Sequence, residues 1–111
     1  MFKILISVKA RNAVVVAPHP AAAKCCVETA RVMAEAGAQA GMPKGLVACM
    51  SRISLPGTQE LMRHKSTALI LATGGAEMVR AAHSVGKPAY GVGPGNVPVW
   101  VDRSAEPVHA A

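Results

Sequence analysis

The chain has 111 residues, of which 51% are hydrophobic, only 3% are aromatic and 21 are alanine. That length bounds it at one domain, and the scarcity of large aromatic side chains leaves alanine and valine to fill a thin core. A charged fraction of 16% with positive mean hydropathy argues against the chain as a whole being a disordered, charge-rich segment.

The net charge is +6, a balance that invites an anionic partner. The basic residues run from Lys3 to Arg103 without clustering, and the aromatic platforms of single-strand binders are nearly absent, so nucleic acid is not expected as a partner. No apolar stretch approaches the roughly 18 residues of a membrane span. The apolar part of Met1–Lys9 is too short for a signal peptide, which points to the cytoplasm. Cys25 and Cys26 are adjacent and Cys49 stands alone, giving neither a disulfide framework nor ligand-spaced CxxC pairs. His19, His64, His83 and His109 form no ligand pattern, and no metal site is expected.

Short β-branched runs alternate with helical segments, the pattern of a parallel α/β sheet. Asn12–Ala17 reads as a strand apolar on both faces, closed by Pro18-His19-Pro20. From Ala21 to Ala40 the period is helical. Ala22, Cys26, Ala30, Met33 and Gly37 form a small-residue stripe, and Lys24, Glu28, Arg31 and Glu35 form two i,i+4 ion pairs on another face. After Gly41–Gly45, Leu46–Met50 is a second strand. Leu55-Pro56-Gly57 reads as a break before a short helix over Thr58–His64. Ala68–Ala72 is a third strand running into Thr73-Gly74-Gly75, and Ala76–Val85 is a helix closed by Gly86. Lys87–Val92 is a fourth strand. A turn at Gly93–Asn96 leads to a strand over Val97–Val101, and a polar tail follows Asp102.

A strand entering Gly-Gly and then a helix is a docking place for an anion, because free amides and the helix dipole both favour negative charge. Thr73 adds a hydroxyl, and Gly74 and Gly75 allow close approach of a phosphate; a tight turn without ligand explains the same residues equally well. The loop is neither a Walker A motif nor the GxGxxG fingerprint, and Gly91–Asn96 fails the fingerprint's context because no helix follows. His19 lies at the end of a strand, where open α/β sheets bind ligands, although a solvated loop histidine accounts for it too. Glu77 complements the helix dipole. Cys26 and Cys49 read as small buried hydrophobes, and no cysteine has a neighbouring base in sequence.

The order Lys9-Ala10-Arg11-Asn12-Ala13-Val14, Pro18-His19-Pro20, Leu71-Ala72-Thr73-Gly74-Gly75, Gly86-Lys87-Pro88-Ala89 and Gly91–Pro98 resembles the CoA-acylating aldehyde dehydrogenases. These are the acetaldehyde dehydrogenases of the ethanolamine-utilisation, microcompartment and aldehyde-alcohol dehydrogenase type. The resemblance covers residues 1–103 and implies an incomplete NAD(P)-binding domain: an open, mostly parallel Rossmann-like sheet with helices on both faces, followed by a tail over residues 104–111. It places Pro18 and His19 beside the adenosine end of the cofactor. Thr73, Gly74, Gly75 and Met78 then face the pyrophosphate and nicotinamide, and Gly93 lies near the nicotinamide. Val92 and Gly93 stand where ordinary aldehyde dehydrogenases carry a general-base glutamate, which fits thiolysis by CoA.

In that family a cysteine forms a thiohemiacetal, hydride passes to the nicotinamide, and the acyl group passes to CoA. None of Cys25, Cys26 and Cys49 matches the nucleophile's position, so no catalytic residue is carried over and the chain alone is expected to be inactive. The resemblance implies NAD, or NADP, as cofactor, CoA as co-substrate, and a homo-oligomeric intact enzyme in the cytoplasm or a bacterial microcompartment. The expected partners are the rest of the dehydrogenase chain or a full-length subunit. The alternative function is a non-catalytic interaction module of the same fold.

Overall fold

The computed structural model describes residues 1–93, 95 and 98–106. In chain order it contains α1 (Phe2–Lys9), β1 (Val14–Val16), a 3₁₀ turn (Pro20–Ala22), α2 (Ala23–Gln39), β2 (Val47–Cys49), α3 (Leu55–Arg63), β3 (Ile70–Thr73), α4 (Ala76–His83) and β4 (Ala89–Val92).

The expected alternation of parallel strands and helices is present, in two strand pairs. β1 pairs in parallel with β2, from Val14 opposite Val47 to Val16 opposite Cys49. β3 pairs in parallel with β4, from Ile70 opposite Ala89 to Thr73 opposite Val92. Among the described residues the two pairs are separate two-stranded sheets, so the sheet is less continuous than the sequence implies. Burial alternates along the strands: Val14 and Val16 are half-buried while Val15 is 50% exposed, and in β4 Tyr90 and Val92 are exposed. A run apolar on both faces therefore has only one face covered here.

Each pair has its own small core. Ile4 of α1, Ala30 of α2 and Val47 of β2 are buried together, with Val8, Met33 and Met42 around them. Met62 of α3, Ile70 and Ala72 of β3 and Ala82 of α4 form the other, flanked by Met78, Val85 and Ala89. Alanine at 30, 72 and 82 lets the helices lie close to the strands. No large side chain among the described residues is completely enclosed. Among the described residues one polar side-chain link joins the halves: Lys3 Nζ on α1 donates to the Leu71 carbonyl of β3 at 3.2 Å. Lys87 does a similar service within the second half, donating to the carbonyls of His64 and, at 2.8 Å, Thr67.

Several elements differ from the sequence expectation for identifiable reasons. Phe2–Lys9, where the sequence predicts no element, is helical because Ile4, Ser7 and Val8 fall on one face against the first core. It ends in a Schellman motif: Asn12 N–H donates to Ser7 O and Arg11 N–H to Val8 O, both at 2.9 Å, with Arg11 at φ +59°. The α2 helix ends the same way, with Gly41 at φ +88° and Met42 folded back onto Gly37.

The helix expected over Thr58–His64 begins three residues earlier, at Leu55. Ser54 Oγ caps it by accepting from Gly57 N–H at 3.1 Å, and Pro56 sits in the first turn, where it forfeits no helical hydrogen bond. Arg31 takes both carboxylates on α2, Glu28 at 2.6 Å and Glu35 at 2.5 Å, in place of the expected Lys24–Glu28 pair. The strand expected over Val97–Val101 is not formed at Pro98–Val101, which are exposed and irregular. Val97, and Pro94 and Asn96 of the expected turn, lie outside the described residues.

Candidate functional site

Parallel strands present their carboxyl ends on one side, and the sequence-selected residues sit at three such ends. Pro18 follows β1 and is buried, whereas His19 is exposed. His19 already serves the fold locally, because its Nδ1 accepts from Ala21 N–H at 3.2 Å and caps the 3₁₀ turn. That hydrogen bond puts the ring proton of the neutral form on Nε2, which is left to face solvent.

Thr73 ends β3, and Gly74 and Gly75 carry the chain into α4. Gly74 has φ +147°, a conformation that disfavours any side chain, and its N–H reaches Val92 O at 3.4 Å. Gly75 is the N-cap and accepts from Met78 and Val79 N–H through its carbonyl. The amides of Ala76 and Glu77 open the helix and have no carbonyl behind them within it. A Cβ built on Gly74 or on Gly75 meets nothing within 4 Å. Packing therefore does not require glycine at 75, where the backbone conformation is also ordinary. The loop is an exposed, amide-lined strand end.

The remaining residues are disposed differently. Met78 is half-buried and packs on the second core, so its thioether is occupied by structure. Gly93 follows β4, is exposed, and also has open space where a Cβ would stand. The two hollows of note lie elsewhere, one of about 90 Å³ between α3 and α4 lined by Gln59, Met62 and Val85, and one of about 260 Å³ beneath the α2 C-terminus lined by Ala34, Met42 and Lys44. Neither includes Pro18, His19 or the Thr73–Gly75 loop.

Cys49 is poorly disposed for nucleophilic work. Burial pushes the Cys49 thiol up, with the neighbouring Cys26 adding to the effect, so its thiolate is suppressed. Among the described residues no group of His, Cys, Asp and Glu is arranged to hold a metal. Among the described residues no helix is long and apolar enough to cross a membrane. Sequence reasoning passed over Lys3. Burial lowers the pKa of its ammonium, and it bridges the two halves; a lysine between Phe2 and Ile4-Leu5-Ile6, in the apolar part of the segment, is the signal that marks it.

Strand–helix units with glycine at an open strand end define the class, an open parallel α/β unit. The chain belongs to the aldehyde dehydrogenase family, whose model matches residues 1–109. It is 48% identical over 111 residues to the aldehyde-alcohol dehydrogenase of Streptococcus pneumoniae serotype 4, covering all of this chain and 13% of that protein. The crystal structure of an acetylating aldehyde dehydrogenase from Geobacillus thermoglucosidasius superposes with a TM-score of 0.85 at 62% identity, over 94% of this chain and 23% of that one. A propionaldehyde dehydrogenase from the Clostridium phytofermentans fucose utilisation bacterial microcompartment superposes with a TM-score of 0.73 at 36% identity, over 77% of this chain and 20% of that one. The chain thus spans less than a quarter of the length of each of these relatives.

Proposed function

We propose that the chain supplies cofactor-binding elements to an oxidoreductase that converts an aldehyde, NAD(P)+ and CoA to acyl-CoA and NAD(P)H. The carrying observation is the open Thr73-Gly74-Gly75 loop at the head of α4, in a chain 62% identical to an acetylating dehydrogenase. The amides of Gly75, Ala76 and Glu77 hold the pyrophosphate, assisted by the α4 dipole and the Thr73 hydroxyl. His19 Nε2–H and Pro18 lie beside the adenosine end, and Gly93 leaves room at the nicotinamide end. Met78 acts from behind, by fixing α4 against β3 and so aiming its first turn.

The two strand pairs become one sheet in this reading, with β1 beside β3. That order reverses the winding between them and makes a switch point, the place where open α/β sheets take ligands. The Lys3–Leu71 hydrogen bond supports the arrangement, since α1 packs with β1 and its lysine reaches β3. A nicotinamide held there would supply the hydride acceptor, and the part of these residues would be binding and orientation. Residues 1–103 form the cofactor-binding part, and 104–111 are a tail.

The intact enzyme is proposed to be a cytoplasmic or microcompartment homo-oligomer using NAD, or alternatively NADP. The nucleophile is supplied by the rest of the dehydrogenase chain or by a full-length subunit. A second reading, a non-catalytic module that associates with a full-length subunit, is favoured by the exposed apolar side chains Tyr90, Val92 and Trp100. Titration of the ¹⁵N-labelled chain with NAD+ separates the two. The cofactor reading predicts amide shifts concentrated at Thr73–Glu77 and at His19. A dispersed, folded spectrum that NAD+ leaves unchanged, with co-purification of a full-length subunit independent of nucleotide, supports the second.

A further inference from the structure

Two thiols lie on the facing elements α2 and β2, and the cofactor reading uses neither. Because β1 and β2 are parallel, the helix that connects them runs antiparallel to both. Ala30 of α2 and Val47 of β2 meet in the first core. From Ala30, one turn back along the helix, about 6 Å, reaches Cys26. From Val47, two residues onward along the same face of the strand, about 6.6 Å, reaches Cys49. The opposed chain directions turn these into steps the same way, so the two cysteines stand at one level of the helix–strand interface. Both are half-buried, whereas Cys25, next in sequence, is exposed. The electrostatics agree with this placement: Cys26 raises the Cys49 thiol, and it counteracts the lowering that burial imposes on the Lys3 ammonium.

We propose that Cys26 and Cys49 form a redox-responsive dithiol that closes to a disulfide and fastens α2 to β2. The oxidant is a low-molecular-weight disulfide such as oxidised glutathione. The Cys26 thiolate, having given its proton to solvent, attacks one glutathione sulfur; the Cys26–glutathione bond forms and one glutathione thiolate leaves. The Cys49 thiolate then attacks the Cys26 sulfur, forming the protein disulfide and expelling the second glutathione thiolate. Two protein thiols are oxidised and one small disulfide is reduced to two thiols.

The test is native incubation of the reduced chain with oxidised glutathione, followed by alkylation, proteolysis and mass spectrometry. The expected result is a peptide pair joined through Cys26 and Cys49, a single alkylatable thiol at Cys25, and a thermal midpoint that rises and returns on adding dithiothreitol. Cys25→Ser retains the link; Cys49→Ser abolishes it and leaves glutathione on Cys26. A vicinal Cys25–Cys26 link, separate glutathione adducts without a link, or three thiols still free after prolonged oxidation would each overturn the proposal.

Discussion

Single residues carry opposite kinds of constraint in this chain. Gly91 of β4 is fixed by packing: a Cβ there stands 2.5 Å from Val79 Cγ1 and 2.9 Å from His83 Nε2. Gly91→Ala forces α4 away from β4 and is expected to cost about 1–3 kcal/mol, read as a lower midpoint in urea. Gly75, the N-cap of α4, has ordinary backbone angles and open space at its Cβ, which makes it the position at which a side chain tests the proposed ligand with least disturbance of packing. Arg11 carries local strain at φ +59° to close α1. Arg11→Gly is predicted to stabilise the fold by roughly 0.5–1 kcal/mol through relief of that left-handed conformation, an outcome that a urea midpoint unchanged or lower would contradict. Cys49 adds a pH dependence. Its thiol is raised in the folded chain, so the folded state holds its proton more tightly than the unfolded one. Stability is therefore lost as pH rises through the ordinary thiol range, and Cys49→Ala should flatten that part of the profile.

At the level of elements, most of the strand–helix alternation was legible because β-branched runs and a 3.6-residue period differ plainly in Val14–Val16 and Ala23–Gln39. Other features were not. The α1 helix hides in Phe2–Lys9 because Ile and Val there satisfy either period, and only contact with Ala30 and Val47 decides for helix. Leu55-Pro56-Gly57 looks like a breaker, yet proline and glycine are both tolerable in a first turn that Ser54 caps. Ser54→Ala removes the acceptor for Gly57 N–H and is expected to cost about 1 kcal/mol, with α3 amides exchanging faster than those of α2. The Glu28–Arg31–Glu35 cluster is exposed on α2, and Arg31→Ala should leave the urea midpoint nearly unchanged, because solvent screens exposed pairs. Of the candidate site, the Thr73–Gly75 loop was legible from its glycines. The capping role of His19 and the packing role of Met78 were not, since each depends on where a neighbouring turn or helix folds back.

The whole molecule is extended for its length. Its radius of gyration is 17.9 Å with a long axis of 59 Å, where a compact domain of this size measures about 13 Å. Two small cores, linked among the described residues by Lys3, with Phe2 at 73% and Trp100 at 89% exposure, fit the proposal that these faces meet the rest of a dehydrogenase chain. The isolated chain should therefore melt at low temperature and elute as an associated species; a monomer with a sharp, high-temperature transition would speak against this. Covering those faces with the remainder of a dehydrogenase chain should raise stability, as any partner that binds only the folded state does.

The central claim, that the open loop before α4 holds the cofactor pyrophosphate, is tested most directly by calorimetric titration of NAD+ into the chain and into Gly75→Val. The added side chain meets no protein atom at its Cβ, and matching circular dichroism spectra confirm that the fold is kept. The account predicts binding to the native chain that weakens by at least about tenfold in the variant, equivalent to about 1.4 kcal/mol. Equal NAD+ affinity in the two folded proteins, or no binding to the folded native chain, would contradict it.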